Sequence, residues 1–117
     1  MKKLTAEMYV EIFKDVIRNV DDYGDKNAVR KHNKAYAKID KLINKIKKDK
    51  EYLKQLFGEL LKNKDEKIIL NISAKCLEFN VLTQQAIMCL NNLRNSKTLS
   101  GLDKMGIDII LKKHLNN

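Results

Sequence analysis

Residues 26–50, KNAVRKHNKAYAKIDKLINKIKKDK, decide the fold class, because the stretch has the pattern of one long amphipathic helix. Neither glycine nor proline interrupts it, and proline is absent from the whole chain. Its apolar residues recur at helical spacing, as Val29, Tyr36, Ile39, Ile43 and Ile46. The pattern predicts a helix from about Lys26 to Lys50 that turns this stripe inward.

The same stretch concentrates positive charge. It holds ten basic residues against two acids, and so supplies most of the chain's formal net charge of +9. Successive lysines step by three or four positions, a spacing that keeps them on one side of a helix, away from the isoleucines. We call this set the lysine face; it comprises Lys31, Lys34, Lys38, Lys41, Lys45 and Lys48.

A first helix is predicted before this stretch. Thr5 is a suitable N-cap, and the helix is expected to run to about Asp22, followed by a break at residues 21–25 that contains Gly24. Its expected inward residues are Met8, Ile12, Phe13, Val16, Ile17 and Val20.

Further helices are predicted after the charged stretch. The next helix is expected from about Glu51 to Leu61, and another follows the polar residues 63–65 and ends at Asn80. A fifth helix is capped by Thr83 and is followed by a loop at Ser96 to Gly101. The last helix is expected from about Leu102 to Leu115. The expected inward residues are Tyr52, Leu53, Leu56, Phe57, Leu60 and Leu61; then Ile68, Ile69, Ile72, Cys76, Leu77 and Phe79; then Ala86, Ile87, Leu90 and Leu93; and finally Leu102, Met105, Ile109 and Ile110.

Six such helices predict an all-α protein with a single domain over residues 1–117. Short connections favour antiparallel hairpins stacked as a short alpha-alpha superhelix, and an irregular helical bundle remains the open alternative. No apolar window is long enough for a membrane span, and Glu7 stands where a signal peptide needs apolar residues. We therefore expect a cytoplasmic protein.

Candidate residues for catalysis or metal binding are few. His32 and His114 are the only histidines, and neither has a second ligand at a metal-binding spacing. A glycine-rich phosphate loop is absent, and Glu59, Glu66 and Glu78 lack the spacing of a di-iron site, so they are interpreted as surface charges. We expect no enzyme activity, no metal and no cofactor.

Cys76 and Cys89 are the only cysteines, and both lie among apolar residues of predicted helices. They are expected to be free thiols rather than a disulfide. A catalytic pairing of either thiol with a histidine would have to arise through the fold, since no local signature supports it. The aromatic residues at helical spacing are expected in the core, namely Tyr9, Tyr23, Tyr36 and Tyr52.

Two interpretations of the lysine face remain open: a solvated face in a lysine-rich chain, or a contact surface for an acidic partner. The concentration of charge favours the contact surface, with an acidic protein as first choice. Nucleic acid is the second choice and only as nonspecific contact, because the chain has 21 lysines but three arginines, and arginine makes the bidentate contacts. Membrane binding is not expected, because the apolar stripe is needed for the core.

Residues 60–77, LLKNKDEKIILNISAKCL, resemble a HEAT-like repeat: a leucine-ended helix, a short polar turn and a second helix with a small residue and a leucine. Together with Gln85 to Leu90 and the loop at Gly101, the chain is similar to a family of small bacterial HEAT-like domains of unknown function, some of them encoded near polymorphic toxins. The resemblance implies an immunity or adaptor role with a toxin domain as partner. Where HEAT-like repeats usually have a Val-Arg pair, this chain departs from the pattern with Ile68 and Ile69.

Overall fold

The computed structural model describes residues 3–18 and 26–115. No strand occurs in these two ranges, so the predicted all-α class is confirmed. The helices of the described ranges are α1 (Ala6–Arg18), α2 (Lys26–Ile46), α3 (Lys50–Leu61), α4 (Glu66–Phe79), α5 (Thr83–Arg94) and α6 (Gly101–Leu115).

The chain divides into two compact units, and the division falls within α3. Unit 1 is Met1–Leu56 and unit 2 is Phe57–Asn117. Compactness alone does not decide whether two units unfold together, so the single domain stays a prediction, as does the HEAT-like superhelix.

In unit 1, α1 packs against α2. The Tyr9 and Phe13 rings stack with their centroids 5.6 Å apart, and Phe13 meets Tyr36 of α2 edge-on at 6.5 Å. Burial confirms Phe13 and Val16 as inward residues, whereas Met8 and Ile12 are only partly buried. The core residues of unit 1 include Leu4, Tyr9, Phe13, Val16, Ala35, Ile39, Ile43, Ile46, Leu53 and Leu56.

The start of α1 follows the prediction. The Met8 amide donates to Thr5 Oγ1 at 3.1 Å, which is the hydrogen bond expected of an N-cap. The predicted end near Asp22, the break at residues 21–25 and the side chains of Ile17 and Val20 lie outside the described residues.

The predicted end of α2 at Lys50 is wrong, because α2 ends at Ile46. The Asp49 amide donates to the Ile46 carbonyl at 3.0 Å, and Asp49 Oδ1 accepts from the Tyr52 amide at 3.1 Å. An aspartate at this position caps the next helix, and this cap stops the lysine-rich helix four residues early.

In unit 2, α4 packs against α5, and α6 packs against both. The connection from α4 to α5 has only three residues, 80–82, so these two helices run antiparallel. The inward residues predicted for α4 are buried or partly buried. Ile68, Ile72 and Cys76 are buried, while Ile69 and Leu77 are partly buried against the aliphatic cluster. That cluster consists of Leu90, Leu93, Leu99, Ile107 and Leu111.

Asn80 is a predicted cap with the expected geometry, whereas Asp65 is a cap that was predicted only as part of a polar connection. Asp65 Oδ1 accepts from the Lys67 amide at 2.9 Å, and Asn80 ends α4 in the left-handed conformation with φ of 58°. The predicted cap at Thr83 is wrong, because Thr83 is already the first helical residue. Leu82 occupies the cap position in a left-handed conformation, without a side-chain hydrogen bond.

The predicted inward face of α6 is also wrong, except for the partly buried Ile110. Ile107 and Leu111 enter the core, whereas Leu102, Met105 and Ile109 are exposed. Ser100 Oγ accepts from the Asp103 amide at 3.1 Å, so α6 begins one residue earlier than expected with a serine cap that the sequence analysis missed.

The predictions for the cysteines and the tyrosines hold in part. Cys76 is buried, Cys89 is half-buried, and both are free thiols. Tyr9 is fully buried, whereas Tyr36 and Tyr52 are half-buried, and Tyr23 lies outside the described residues. Among the described helices, none combines the length and the apolar character that crossing a membrane requires.

Candidate binding surface on α2

The orientation of α2 is set by its inner edge. Ile39, Ile43 and Ile46 are almost completely buried, each at a step of three or four residues from the next. Burying an isoleucine side chain contributes about 1.5–3 kcal/mol, so three of them fix which side of the helix faces the core. The opposite side of α2 must then lie at the surface.

A hydrogen bond links the N-terminal half of α2 to α1. His32 Nδ1 lies 3.1 Å from the Val16 carbonyl oxygen, and the His32 ring meets Tyr36 at 5.0 Å. His32 therefore acts as a structural link between two helices, and the hydrogen bond requires the tautomer with a proton on Nδ1.

An acid of α2 lies towards the same contact. Burial raises the pKa of Tyr9 above its ordinary value, and the proximity of Tyr36 and Asp40 adds to the shift. On an ideal helix, Asp40 lies about a third of a turn around α2 from the lysine face.

Every member of the lysine face is exposed: Lys31, Lys34, Lys38, Lys41, Lys45 and Lys48. Lys31 to Lys45 lie on α2 itself and span roughly 21 Å at the helical rise. Lys48 is a correction to the predicted helix, since it lies in the turn that follows Ile46.

Internal ion pairs leave most of this charge uncompensated. In unit 1, Lys3 approaches Asp49 at 4.0 Å and Lys14 pairs with Glu11 at 3.1 Å. Lys45 has a contact within the protein. Among the described residues, no ion pair reaches the other helical members, Lys31, Lys34, Lys38 and Lys41.

Side-chain contacts stabilise the region that follows the turn after α2. The Tyr52 hydroxyl donates to the Leu4 carbonyl at 2.7 Å, and Lys3 Nζ lies 5.0 Å from the centre of the Tyr52 ring. These contacts tie the start of α3 to the segment before α1, and Asp49 caps α3 within them. The start of α3, which follows the turn that holds Lys48, is therefore attached to the segment before α1.

The other polar residues of interest lie in unit 2. Glu66, interpreted from sequence as a surface charge, accepts hydrogen bonds from Thr98 and, at 2.8 Å, from Ser96. These two hydroxyls hold the pKa of Glu66 below its ordinary value. Glu66 thereby ties the loop before α6 to the start of α4, a role that no spacing in the sequence indicates.

The two thiols are poorly suited to nucleophilic chemistry. Burial raises the pKa of the Cys76 thiol to about 12, with Cys89 nearby adding to the shift. Burial also raises the pKa of Cys89, although the Ser73 hydroxyl lowers it in part. Thiolates are the reactive form, so both groups behave as apolar side chains at neutral pH.

His114 lies in a shallow groove between α4 and α6, beside Leu77, Glu78 and Lys113. Within the described ranges, no three residues among histidine, cysteine, aspartate and glutamate come together in an arrangement that could hold a metal ion.

Comparison with known proteins adds no relative: no protein-family model, curated protein or solved structure matches this chain. The HEAT-like resemblance therefore stays a prediction.

Proposed function

We propose that this chain is a non-catalytic binding protein that holds an acidic protein partner through the lysine face of α2. The observation that carries the proposal is that buried isoleucines fix α2 while its lysines are exposed in a row on another side. Opposite charges on a partner would meet several of these ammonium groups at once. Such complementarity contributes to partner choice and to the rate of association.

The electrostatic repulsion between neighbouring lysines of the lysine face supports this proposal. Like charges three or four residues apart on a helix repel by about 0.2–0.5 kcal/mol per pair. In the part of the chain that the structure describes, no ion pair reaches Lys31, Lys34, Lys38 or Lys41, so a partner that supplies carboxylates would relieve the repulsion. Lysine also fits carboxylates as a mobile point charge and does not require the planar geometry that arginine recognises.

The HEAT-like resemblance narrows the kind of partner. It extends the proposal to an immunity or adaptor role, in which the acidic surface belongs to the active domain of a toxin. Co-expression with a toxin encoded beside this chain should then restore growth, and restoration should depend on the lysine face.

The test compares two triple variants with the same change in charge. Lys34→Glu, Lys38→Glu and Lys41→Glu reverse the lysine face and leave Lys45, which has an internal contact, intact. The matched control reverses three exposed lysines of unit 2, Lys62, Lys64 and Lys97. Each protein is immobilised and exposed to an extract of the organism that encodes it, with and without nuclease treatment, and captured proteins are identified by mass spectrometry.

We expect the wild type and the control variant to capture the same acidic protein, and the lysine-face variant to lose it. Capture that disappears after nuclease treatment, together with binding of random duplex DNA at low salt, would identify nucleic acid as the partner instead. Equal capture by all three proteins would show that the lysine face is only solvated.

A further inference from the structure

The outer side of α6 carries an apolar strip that the fold does not use. Leu102 is 79% exposed, Met105 is 61% exposed and Ile109 is 64% exposed. They step by three and then four residues, so they lie on one side of the helix, opposite the buried Ile107 and Leu111. We call these three residues the α6 seam.

Contacts within unit 2 fix the direction of the α6 seam. Arg94 Nε lies 2.9 Å from Asp108 Oδ1 and links α5 to α6, while Ser100 caps the first turn. Glu66 holds Ser96 and Thr98 in the loop before the helix. With Ile107 and Leu111 in the core, α6 cannot rotate to bury the seam without exposing them.

The width of the strip favours a helix as its occupant. On an ideal helix, the three side chains fall within about 60° of arc, the narrow seam that packs against one other helix. Anchors at this spacing are what a helix presents to another helix or to a groove. A helix lying in a membrane interface instead needs a broad apolar face, and here the exposed lysines Lys112 and Lys113 lie beside the strip.

The charges around the strip favour an acidic partner. Lys112 and Lys113 are exposed at its C-terminal end. Of the two acids of α6, Asp108 is paired with Arg94 and Asp103 is partly buried in the first turn. A second copy of the chain would bring the same exposed lysines, Lys112 and Lys113, to the contact, so self-association through the seam is disfavoured.

From these observations we propose that the α6 seam binds an amphipathic helix of a partner protein, with aliphatic anchors at three- and four-residue spacing and carboxylates beside them. This surface is distinct from the lysine face, and either proposal can fail alone. Binding at the α6 seam requires burial of apolar side chains in addition to charge, whereas binding at the lysine face requires charge only.

Three synthetic fluorescent peptides of about 18 residues test the proposal by fluorescence anisotropy. The first has leucine anchors flanked by glutamates, the second has alanines in place of the leucines, and the third has lysines in place of the glutamates. We expect the full-length protein to bind the first peptide and to bind the other two at least about tenfold more weakly.

Two variants with the same substitution locate the contact. Leu102→Ser removes a seam residue, and Leu115→Ser removes a leucine of similar exposure, 76%, from another side of α6. Far-ultraviolet circular dichroism checks that both remain folded, which exposed positions should allow. We expect Leu102→Ser to weaken binding of the first peptide by about tenfold, and Leu115→Ser and the lysine-face triple variant to leave the affinity within about twofold.

Equal binding of the leucine and alanine peptides, or equal effects of the two serine variants, would overturn the proposal. Seam-dependent sedimentation with vesicles of phosphatidylserine and phosphatidylcholine, without peptide binding, would assign the strip to a membrane surface. Dimerisation in sedimentation equilibrium that Leu102→Ser abolishes would assign it to a second copy of the chain.

Discussion

The helices α2 and α6 bury similar inner edges but differ in what they carry on the outside. The inner edges are Ile39, Ile43 and Ile46 in α2, and Ile107 and Leu111 in α6. Outside, α2 has a row of ammonium groups, whereas α6 has the aliphatic α6 seam. The buried inner edge therefore fixes each helix, and the outer side can carry either charge or apolar surface.

The two outer sides differ in their effect on stability. Charge on α2 acts by mutual repulsion, which salt screens at distances beyond about 8–10 Å. Exposed aliphatic groups on α6 cost little in the folded state relative to the unfolded chain, where they are exposed as well. Salt and single substitutions should therefore separate the two helices.

The largest effect is expected from the inner edges. Replacing the buried Ile107 or Ile43 by alanine should lower the free energy of unfolding by about 2–5 kcal/mol, because each substitution leaves a cavity. Ile109→Ala in the α6 seam should change it by no more than about 0.5 kcal/mol, since the side chain is exposed and alanine favours the helix. Urea denaturation followed by circular dichroism measures all three, and a large loss in Ile109→Ala would contradict the orientation of α6.

The same variants test whether the two units unfold as one domain. All four tyrosines of the chain precede residue 57, so tyrosine fluorescence reports on unit 1 alone. If the domain is single, Ile107→Ala in unit 2 should shift the tyrosine transition as far as the transition seen by circular dichroism. A tyrosine transition that stays at the wild-type midpoint would mean that the units unfold separately.

A smaller effect is expected at the loop that sets the start of α6. The pKa of Glu66 is lowered in the folded protein by hydrogen bonds from Thr98 and Ser96, so this group stabilises the fold above its ordinary pKa. That contribution is lost as the pH falls through the lowered value. Glu66→Gln should therefore be less stable than the wild type at neutral pH, and the difference should shrink as the solution is acidified.

Urea midpoints measured between about pH 7 and pH 3 check this prediction. Glu59→Gln is the matched control, since it removes the same charge from the exposed surface of α3. A difference between Glu66→Gln and the wild type that does not vary with pH would show that the carboxylate charge is not what the two hydroxyls stabilise.

The sequence predicted the inner edge of α2 because only one side of that helix is apolar. Burying any other side of α2 would bury lysines, so the periodicity of Ile39, Ile43 and Ile46 indicates a single orientation of the helix. In α6 two apolar stripes interleave, and nothing in the periodicity says which one packs. The choice depends on contacts with α4 and α5, such as the Arg94 and Asp108 pair, which a single sequence does not reveal.

Helix ends show the same limit. Thr5 and Asn80 were predicted as caps because each precedes or follows an apolar pattern without a competitor. Asp49 was overlooked within a run of lysines that looked continuously helical. As for the binding surface, the sequence predicted the exposure of the lysine face, but the α6 seam became visible only when packing left it uncovered.

The effect of each single interaction is smallest for charge on α2. Replacing Lys34, Lys38 and Lys41 by glutamine should stabilise the protein by about 0.2–0.5 kcal/mol for each repulsive pair removed, since glutamine and lysine have similar helix propensities. The wild type should gain stability as salt rises, and the variant should gain less, because less repulsion remains to be screened. The same substitutions at Lys62, Lys64 and Lys97 should leave the salt dependence nearly unchanged, as should Met105→Gln in the α6 seam, which alters no charge. Equal salt dependence in all four proteins would show that the lysines of α2 do not repel one another, and a partner would then have no repulsion to relieve.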